Sequence, residues 1–88
     1  MAEEEFEEAR ILEIIRSILC EVTGHKDIVI TKSSSSRDVP GWDSISHIAL
    51  ILAVERQFSF RMRASEIAQI INAGSLVNLI IVRTRAQG

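Results

Sequence analysis

The sequence of 88 residues predicts an all-α fold, a small helical bundle of three main helices plus one short helix. Apolar residues recur at intervals of three and four positions, the spacing of an amphipathic helix, and no stretch shows a comparable strand pattern. Isoleucine, leucine and valine provide 26 residues, enough for an aliphatic core. One cysteine excludes an intramolecular disulfide, and no cysteine and histidine cluster has zinc-ligand spacing. We therefore expect a single domain over residues 1–88 with no metal site.

The first helix is predicted over about residues 4–22, which carry one apolar stripe at helical spacing. Acidic residues fill its first turn, where the helix dipole favours them, and Gly24 follows as a stop signal. Residues 23–42 lack sustained periodicity and predict a long loop. Its apolar residues 28–30 suggest that the loop is held on the core, with the serine run 33–36 as its mobile part. The stripe of the first helix consists of Ile11, Ile14, Ile15, Ile18, Leu19 and Val22.

The second helix is predicted over about residues 43–58, because Asp43 or Ser44 is a favourable N-cap and no helix breaker follows before Phe58. A helical projection separates its apolar positions into two stripes, one facing the core and one facing outward. The core stripe consists of His47, Leu50, Ile51, Val54 and Phe58, and the outward stripe of Ile45, Ala49 and Leu52.

Two further helices complete the predicted bundle. A short helix over about residues 65–71 is expected to bury Ile67, Ile70 and Ile71. The last helix is predicted over about residues 73–83, with Asn72 as its cap. Its buried residues are expected to be Leu76, Val77, Leu79 and Ile80, with one of Ile81 or Val82.

The charge of the chain excludes several classes of function. A net charge of −2 and an aromatic content of 5% argue against non-specific nucleic-acid binding, which needs a clustered basic face. The acidic N-terminus does not resemble a signal peptide, and the apolar runs are far shorter than a membrane span of about 18 residues. We expect a soluble, cytoplasmic protein. The charge is divided unevenly, with −5 over residues 1–43 and +3 over residues 44–88.

The segment from Gly41 to Ile45 places the hydroxyl of Ser44 at a helix start after a long loop. The amides of a first helical turn face any phosphate esterified to such a serine. The simplest interpretation is that Asp43 and Ser44 only cap the helix. A hydrolytic site is another alternative, with His47 three residues after Ser44 and Asp38 or Asp43 orienting the imidazole. It is weak, because the Gly-x-Ser-x-Gly elbow is absent, and His47 is more simply a half-buried histidine.

A pattern over a longer stretch of the chain favours Ser44 as the attachment point of a phosphate-linked group. Asp43-Ser44-Ile45 is followed by an apolar helix that closes with Glu55-x-x-Phe58, then by apolar Met62, and by Asn-Ala-Gly-Ser-Leu-Val at residues 72–77. In these features the chain from Trp42 to Ile80 resembles the acyl carrier protein family, a phosphopantetheine-binding carrier domain. The family has an Asp-Ser-Leu attachment motif and a Thr-x-x-Asp-Leu-Val entry into its last helix. The first half of the chain matches only in layout.

The resemblance implies a carrier and not an enzyme. The serine matching Ser44 is esterified with 4'-phosphopantetheine by a separate phosphopantetheinyl transferase, which uses coenzyme A and magnesium, and the terminal thiol carries an acyl thioester. Asp43 is expected to cap the helix, and the resemblance implies that it also helps to place the metal of the transferase. The other implied partners of this monomer are an acyl-loading ligase or synthase and acyl-transferring enzymes of fatty acid, polyketide or related lipid metabolism. Two alternatives remain, a peptidyl or aminoacyl carrier and an unmodified helical docking module.

The second helix departs from the acidic recognition helix of this family. Typically acidic or polar positions hold Ser46, Ala49, Arg56 and Gln57, so the outward stripe is apolar with a basic end. We expect a docking surface made by this stripe and the tryptophan before it, which would make the protein a specialised carrier and not a housekeeping one. The alternative is that the stripe packs on the third helix or the loop. The predicted docking residues are Ile45, Ala49, Leu52, Arg56 and Trp42.

Overall fold

The computed structural model describes residues 2–87, with side chains described for residues 7–85. It contains four helices and, over these residues, no strand. The radius of gyration is 12.3 Å, close to the value of about 12 Å expected for a compact chain of this length. The predicted all-α fold is therefore confirmed. The helices are α1 (Ala2–Thr23), α2 (Ser44–Phe58), α3 (Ala64–Ala68) and α4 (Ala73–Gln87).

The core lies between α1, α2 and α4, and α1 packs against both of the others. The helical spacing of aliphatic residues places one face of each helix in this core, as the sequence predicts. Within residues 2–87, no helix is long and apolar enough to cross a membrane. The largest fully buried side chains are Ile15, Leu19, Leu50, Val54, Leu76, Val77 and Ile80.

Residues 24–43 connect α1 to α2 and are held against the core. Gly24 ends α1 with a positive φ of 77°, and its N–H donates to the carbonyl of Cys20 at 3.0 Å. Ile28 and Ile30 are buried in the core, while Val29 between them is 84% exposed. The two isoleucines therefore hold this part of the loop against the core. This arrangement agrees with the expectation for residues 28–30.

The serine run is anchored, which corrects the expectation that it forms the mobile part of the loop. Ser34 is buried, and its carbonyl accepts the N–H of Ala73 at 2.8 Å. The carbonyl of Lys32 accepts the N–H of Gly74 at 2.7 Å. Two loop carbonyls thus satisfy amides in the first turn of α4, which have no partner within the helix itself. These hydrogen bonds join backbone atoms about 40 residues apart in the sequence, so the pattern of side chains does not predict them.

The third helix is shorter than predicted. It ends at Ala68, because the N–H groups of Gln69 and Ile70 donate to carbonyls three residues earlier, the tighter bonding typical of a helix terminus. Ile67 and Ile70 are half-buried, but Ile71 is 75% exposed, which corrects its predicted burial. At the other end of the bundle, α4 continues to Gln87, beyond the predicted end near Arg83.

An ion pair fastens α3 to α4. Arg83 donates to the carboxylate of Glu66 at 2.6 Å, and its guanidinium lies 5.2 Å from the ring centroid of Phe60. Glu66 also accepts the N–H of Arg63 at 2.8 Å, so one carboxylate serves both the start of α3 and the contact with α4. The hydrogen bonds from Arg63 and Arg83 hold the pKa of Glu66 below its ordinary value.

Replacing Gly74 by alanine is expected to lower the free energy of unfolding by about 1–3 kcal/mol, the usual range for an overpacked site. A β-carbon there would lie 2.7 Å from the carbonyl oxygen of Lys32, a backbone atom that cannot turn aside. Urea denaturation followed by tryptophan fluorescence measures the change. Asn78→Ala, at an exposed position of α4, is the matched control. Since alanine is the better helix former, unchanged or increased stability of Gly74→Ala would contradict the close approach.

Candidate functional site

A tight turn at Gly41 positions the start of α2. Gly41 has a φ of 82°, and its carbonyl accepts the N–H of Asp43 at 3.0 Å. A β-carbon at Gly41 would lie 3.0 Å from Cβ of Thr23 and 3.1 Å from Cδ2 of His25. Glycine is therefore required both for the backbone conformation and for the close approach to the end of α1. The turn fixes where α2 begins relative to α1.

Asp43 caps α2. Its Oδ1 accepts the N–H of Ser46 at 2.9 Å and lies 3.1 Å from the hydroxyl of the same residue. These hydrogen bonds from Ser46 hold the pKa of Asp43 below its ordinary value, so the carboxylate is ionised at neutral pH. The predicted capping role of Asp43 agrees with this geometry, and the helix itself begins at Ser44.

Ser46 is a structural member of the site that the sequence interpretation missed. It is buried, and its hydroxyl donates to the carbonyl of Gly41 at 2.6 Å, which ties the first turn of α2 to the glycine turn. The sequence pattern presents Ser46 only as a replacement at a typically acidic or polar position of α2. Its position three residues after a capping aspartate was the available signal, because the side chain at that position can reach back to the cap.

Ser44 is exposed and lines a cleft of about 400 Å³. Its lining combines polar side chains of the loop and the start of α2 with Trp42 and with two isoleucines from the segment after α3. The hydroxyl of Ser44 therefore lies on a helix start with open space beside it. The residues that line the cleft are Ser36, Trp42, Asp43, Ser44, His47, Ile70 and Ile71.

His47 and Trp42 form a pair inside this cleft. The indole Nε1–H of Trp42 donates to Nδ1 of His47 at 3.1 Å, and the ring centroids are 6.0 Å apart. Because Nδ1 accepts, the neutral imidazole carries its proton on Nε2. Burial lowers the pKa of His47, which favours this neutral form at pH 7. His47 is half-buried, in agreement with its position on the core stripe.

These contacts do not form the hydrolytic site that the sequence offered as an alternative. A general base needs an unprotonated ring nitrogen facing the serine, but Nδ1 of His47 is occupied by the indole and Nε2 holds the proton. The two carboxylates proposed to orient the ring are engaged elsewhere. Asp38 accepts from the N–H and hydroxyl of Ser35, and Asp43 accepts from Ser46.

Trp42 belongs to the core, which corrects its prediction as a docking residue. Its side chain is 4% exposed and packs in the main apolar cluster. The physical reason is the turn at Gly41, which directs the indole inward, where its N–H finds an acceptor on His47.

The remaining predicted docking residues lie on the outer face of α2. Ile45 is 80% exposed and Leu52 is 55% exposed, Arg56 is exposed, and Ala49 is half-buried. The stripe is therefore not packed on α3 or the loop. Ile48, also exposed, extends it. The projection assigned Ile48 to neither stripe, because at 100° per residue it lies about 60° from both Ile45 and Ile51.

Comparisons with known proteins identify the family and the fold of the chain. A family model described as a phosphopantetheine attachment site matches residues 13–80, more than half of the chain. The chain belongs to this family. The solution NMR structure of a holo acyl carrier protein from Geobacter metallireducens is similar, with a TM-score of 0.79, 27% sequence identity and 88% of each chain covered. The protein is thus a carrier of the phosphopantetheine attachment family, with an acyl-carrier-protein fold and covalent 4'-phosphopantetheine as its prosthetic group.

The cleft at the start of α2 fits the prosthetic group of this family. An exposed serine hydroxyl offers an ester linkage, and backbone amides of the first helical turn favour a phosphate charge. The cleft beside it combines polar side chains with the apolar Ile70 and Ile71, which suits an arm that contains both amide groups and methylene carbons.

Proposed function

We propose that this protein carries acyl groups as thioesters on 4'-phosphopantetheine attached to Ser44, and that it presents them to partner enzymes without catalysing a reaction itself. The observation that carries the proposal is the position of Ser44, which is exposed, is the first residue of α2 and lines the cleft. When bound, the prosthetic group supplies a terminal thiol that holds the acyl group. The protein supplies a rigid, accessible point of attachment.

The neighbouring serines are less suitable for attachment. The hydroxyl of Ser46 is buried and already donates to the carbonyl of Gly41. Ser36 is exposed but lies in the loop and not at a helix start. Ser44 combines exposure with the first-turn amides of α2 and with the ionised Asp43 directly before it. The family resemblance supports a second role for that carboxylate, which is to help position the magnesium ion of a transferase.

The test of this proposal is transfer of the prosthetic group. The protein is incubated with coenzyme A, magnesium and a broad-specificity phosphopantetheinyl transferase, and its intact mass is recorded. We expect the mass to rise by one 4'-phosphopantetheine, with release of adenosine 3',5'-bisphosphate. An unchanged mass with several different transferases would contradict the carrier function and favour an unmodified docking module.

The cargo is proposed to be an acyl group of fatty acid, polyketide or related lipid metabolism, delivered by a loading ligase or synthase. The peptidyl and aminoacyl carriers remain the second candidate, because they use the same attachment chemistry. Loading the thiol with fatty acids and amino acids by purified ligases of each class distinguishes the two.

We further propose that the partners of this carrier dock on the outer face of α2, through the stripe of Ile45, Ala49, Leu52 and Arg56. Exposed apolar side chains are concentrated on this face, next to the attachment site. The protein differs in this respect from the acidic carriers it resembles. Docking by apolar contact is expected to depend weakly on salt, since added ions screen charges and not apolar contacts.

Replacing Leu52 by aspartate is expected to lower kcat/KM for the transferase about tenfold, equivalent to about 1.4 kcal/mol. The free energy of unfolding should change by no more than about 0.5 kcal/mol, because the side chain is 55% exposed. Leu52 lies eight residues after Ser44, about 12 Å along the helix, so the change does not alter the reacting hydroxyl.

Val82→Asp is the matched control for this experiment, because it introduces the same charge at a 63% exposed apolar position on α4. An equal loss in both variants would show a general effect of charge. A large loss of stability in Leu52→Asp would show that the stripe is packed. Either result contradicts docking on α2.

A further inference from the structure

His47 is the residue in the cleft to which the proposed function gives no role. Its side chain lines the same cleft as Ser44 and follows that serine by three positions in α2. Residues three apart on a helix are neighbours, with about 5–6 Å between their β-carbons. A group linked to the hydroxyl of Ser44 therefore lies within reach of the imidazole.

Trp42 fixes which ring nitrogen is available. Its indole N–H can only donate, so the nitrogen of His47 at 3.1 Å from it must accept. The neutral ring then has a single donor, the N–H at Nε2, on a side chain that lines the cleft. The indole is itself held in the core, so the orientation of the imidazole does not depend on solvent-exposed contacts.

One titratable group of the lining can donate a hydrogen bond to an anion in the cleft. Among the residues that line the cleft, Asp43 and His47 are the two that titrate. The carboxylate of Asp43 is turned toward Ser46, where Oδ1 accepts the N–H at 2.9 Å and lies 3.1 Å from the hydroxyl oxygen. The imidazole is thus the titratable group of the lining whose hydrogen-bond donor remains available.

We propose that His47 is a positioning residue for the prosthetic group, and that its Nε2–H donates a hydrogen bond to a phosphate oxygen of the phosphodiester on Ser44. The inference rests on the proposed attachment at Ser44 and deepens it. The hydrogen bond would hold the first atoms of the arm against α2 and so restrict the directions in which the arm leaves the protein.

The proposal has a measurable electrostatic consequence. A phosphodiester keeps one negative charge over the range in which histidine titrates, about pH 5 to 8. A negative charge close to an imidazole stabilises its protonated form and raises the pKa of the ring. Burial of His47 in the unmodified protein has the opposite effect. Attachment of the group should therefore move the titration of His47 to higher pH.

The experiment compares the unmodified protein with the modified protein by NMR. The ring signals of His47 and the phosphorus-31 signal of the phosphodiester are followed over about pH 5 to 8. We expect His47 to titrate at higher pH in the modified protein, and the phosphorus signal to follow the same curve. In modified His47→Gln the amide can still donate but cannot titrate, so the phosphorus signal should lose this pH dependence.

Each outcome of this experiment is decisive. A modified protein whose His47 titrates as in the unmodified form, or whose phosphorus signal is independent of pH, overturns the role of His47 and leaves attachment at Ser44 intact. The intact mass of the same samples is measured by mass spectrometry before the titration. A protein that accepts no group contradicts the proposed function, and the inference with it. Circular dichroism of His47→Gln confirms its fold, and the comparison of the two wild-type forms does not depend on that variant.

Discussion

Replacing Ser44 by alanine is expected to abolish addition of 4'-phosphopantetheine completely. In the proposed attachment the hydroxyl oxygen of Ser44 forms the bond to phosphorus, and alanine has no atom that can replace it. The helix should persist, because the N-cap of α2 is Asp43 and not Ser44. Intact mass after incubation with coenzyme A, magnesium and transferase measures the effect, which is the largest expected for any single substitution at this site.

Two neighbouring serines provide the controls. Ser36→Ala changes an exposed serine that lines the same cleft and should be modified as fully as the wild type. Ser46→Ala should also be modified, but it loses the hydrogen bond to the carbonyl of Gly41, at a cost of about 1 kcal/mol of stability. Added mass on Ser44→Ala, or its loss in Ser36→Ala alone, would place the attachment elsewhere.

The largest expected effect on stability is that of Trp42→Ala. Truncating a buried tryptophan costs about 3–5 kcal/mol, and an 88-residue chain has a total free energy of unfolding of about 5–10 kcal/mol. The variant should therefore unfold at much lower urea concentration. Far-UV circular dichroism is the appropriate signal, because the substitution removes the single tryptophan of the chain.

Trp42→Phe separates packing from hydrogen bonding at the same position. Phenylalanine retains most of the apolar contact but cannot donate to Nδ1 of His47, so we expect a smaller loss of about 1–2 kcal/mol. A docking residue would behave differently, since its replacement would weaken partner binding and leave stability unchanged. Unchanged stability of Trp42→Ala would therefore contradict the assignment of Trp42 to the core.

The features that the sequence predicted well depend on local patterns. The apolar stripe of α1 and the caps at Asp43 and Asn72 follow from residues three or four positions apart. In the structure, Asn72 accepts the N–H of Ser75 at 2.8 Å, and the hydroxyl of Ser75 accepts the N–H of Asn72 at 3.1 Å. Such contacts lie within one helical turn, so the spacing of the residues is enough to predict them.

The features that the sequence did not predict depend on contacts between distant segments or on backbone atoms. The burial of Trp42 requires the turn at Gly41 to pack against the end of α1. The exposure of Ile71 follows from the early end of α3. In the candidate site, the motif predicts Ser44 and Asp43, but the pairing of Trp42 with His47 depends on the direction of an indole ring. Apolar character alone does not distinguish a core tryptophan from a docking one.

The two hydrogen bonds from Ala73 and Gly74 to the loop carbonyls of Ser34 and Lys32 divide the connection between α1 and α2 into two short spans. The entropy of a flexible connection depends on the length between its fixed points, so each span has less conformational freedom than one uninterrupted loop of 20 residues. The span that leads to Ser44 begins where the loop is hydrogen-bonded to α4. A change at the start of α4 should therefore loosen the backbone that leads to Ser44, the proposed point of attachment, although about 30 residues separate the two along the chain.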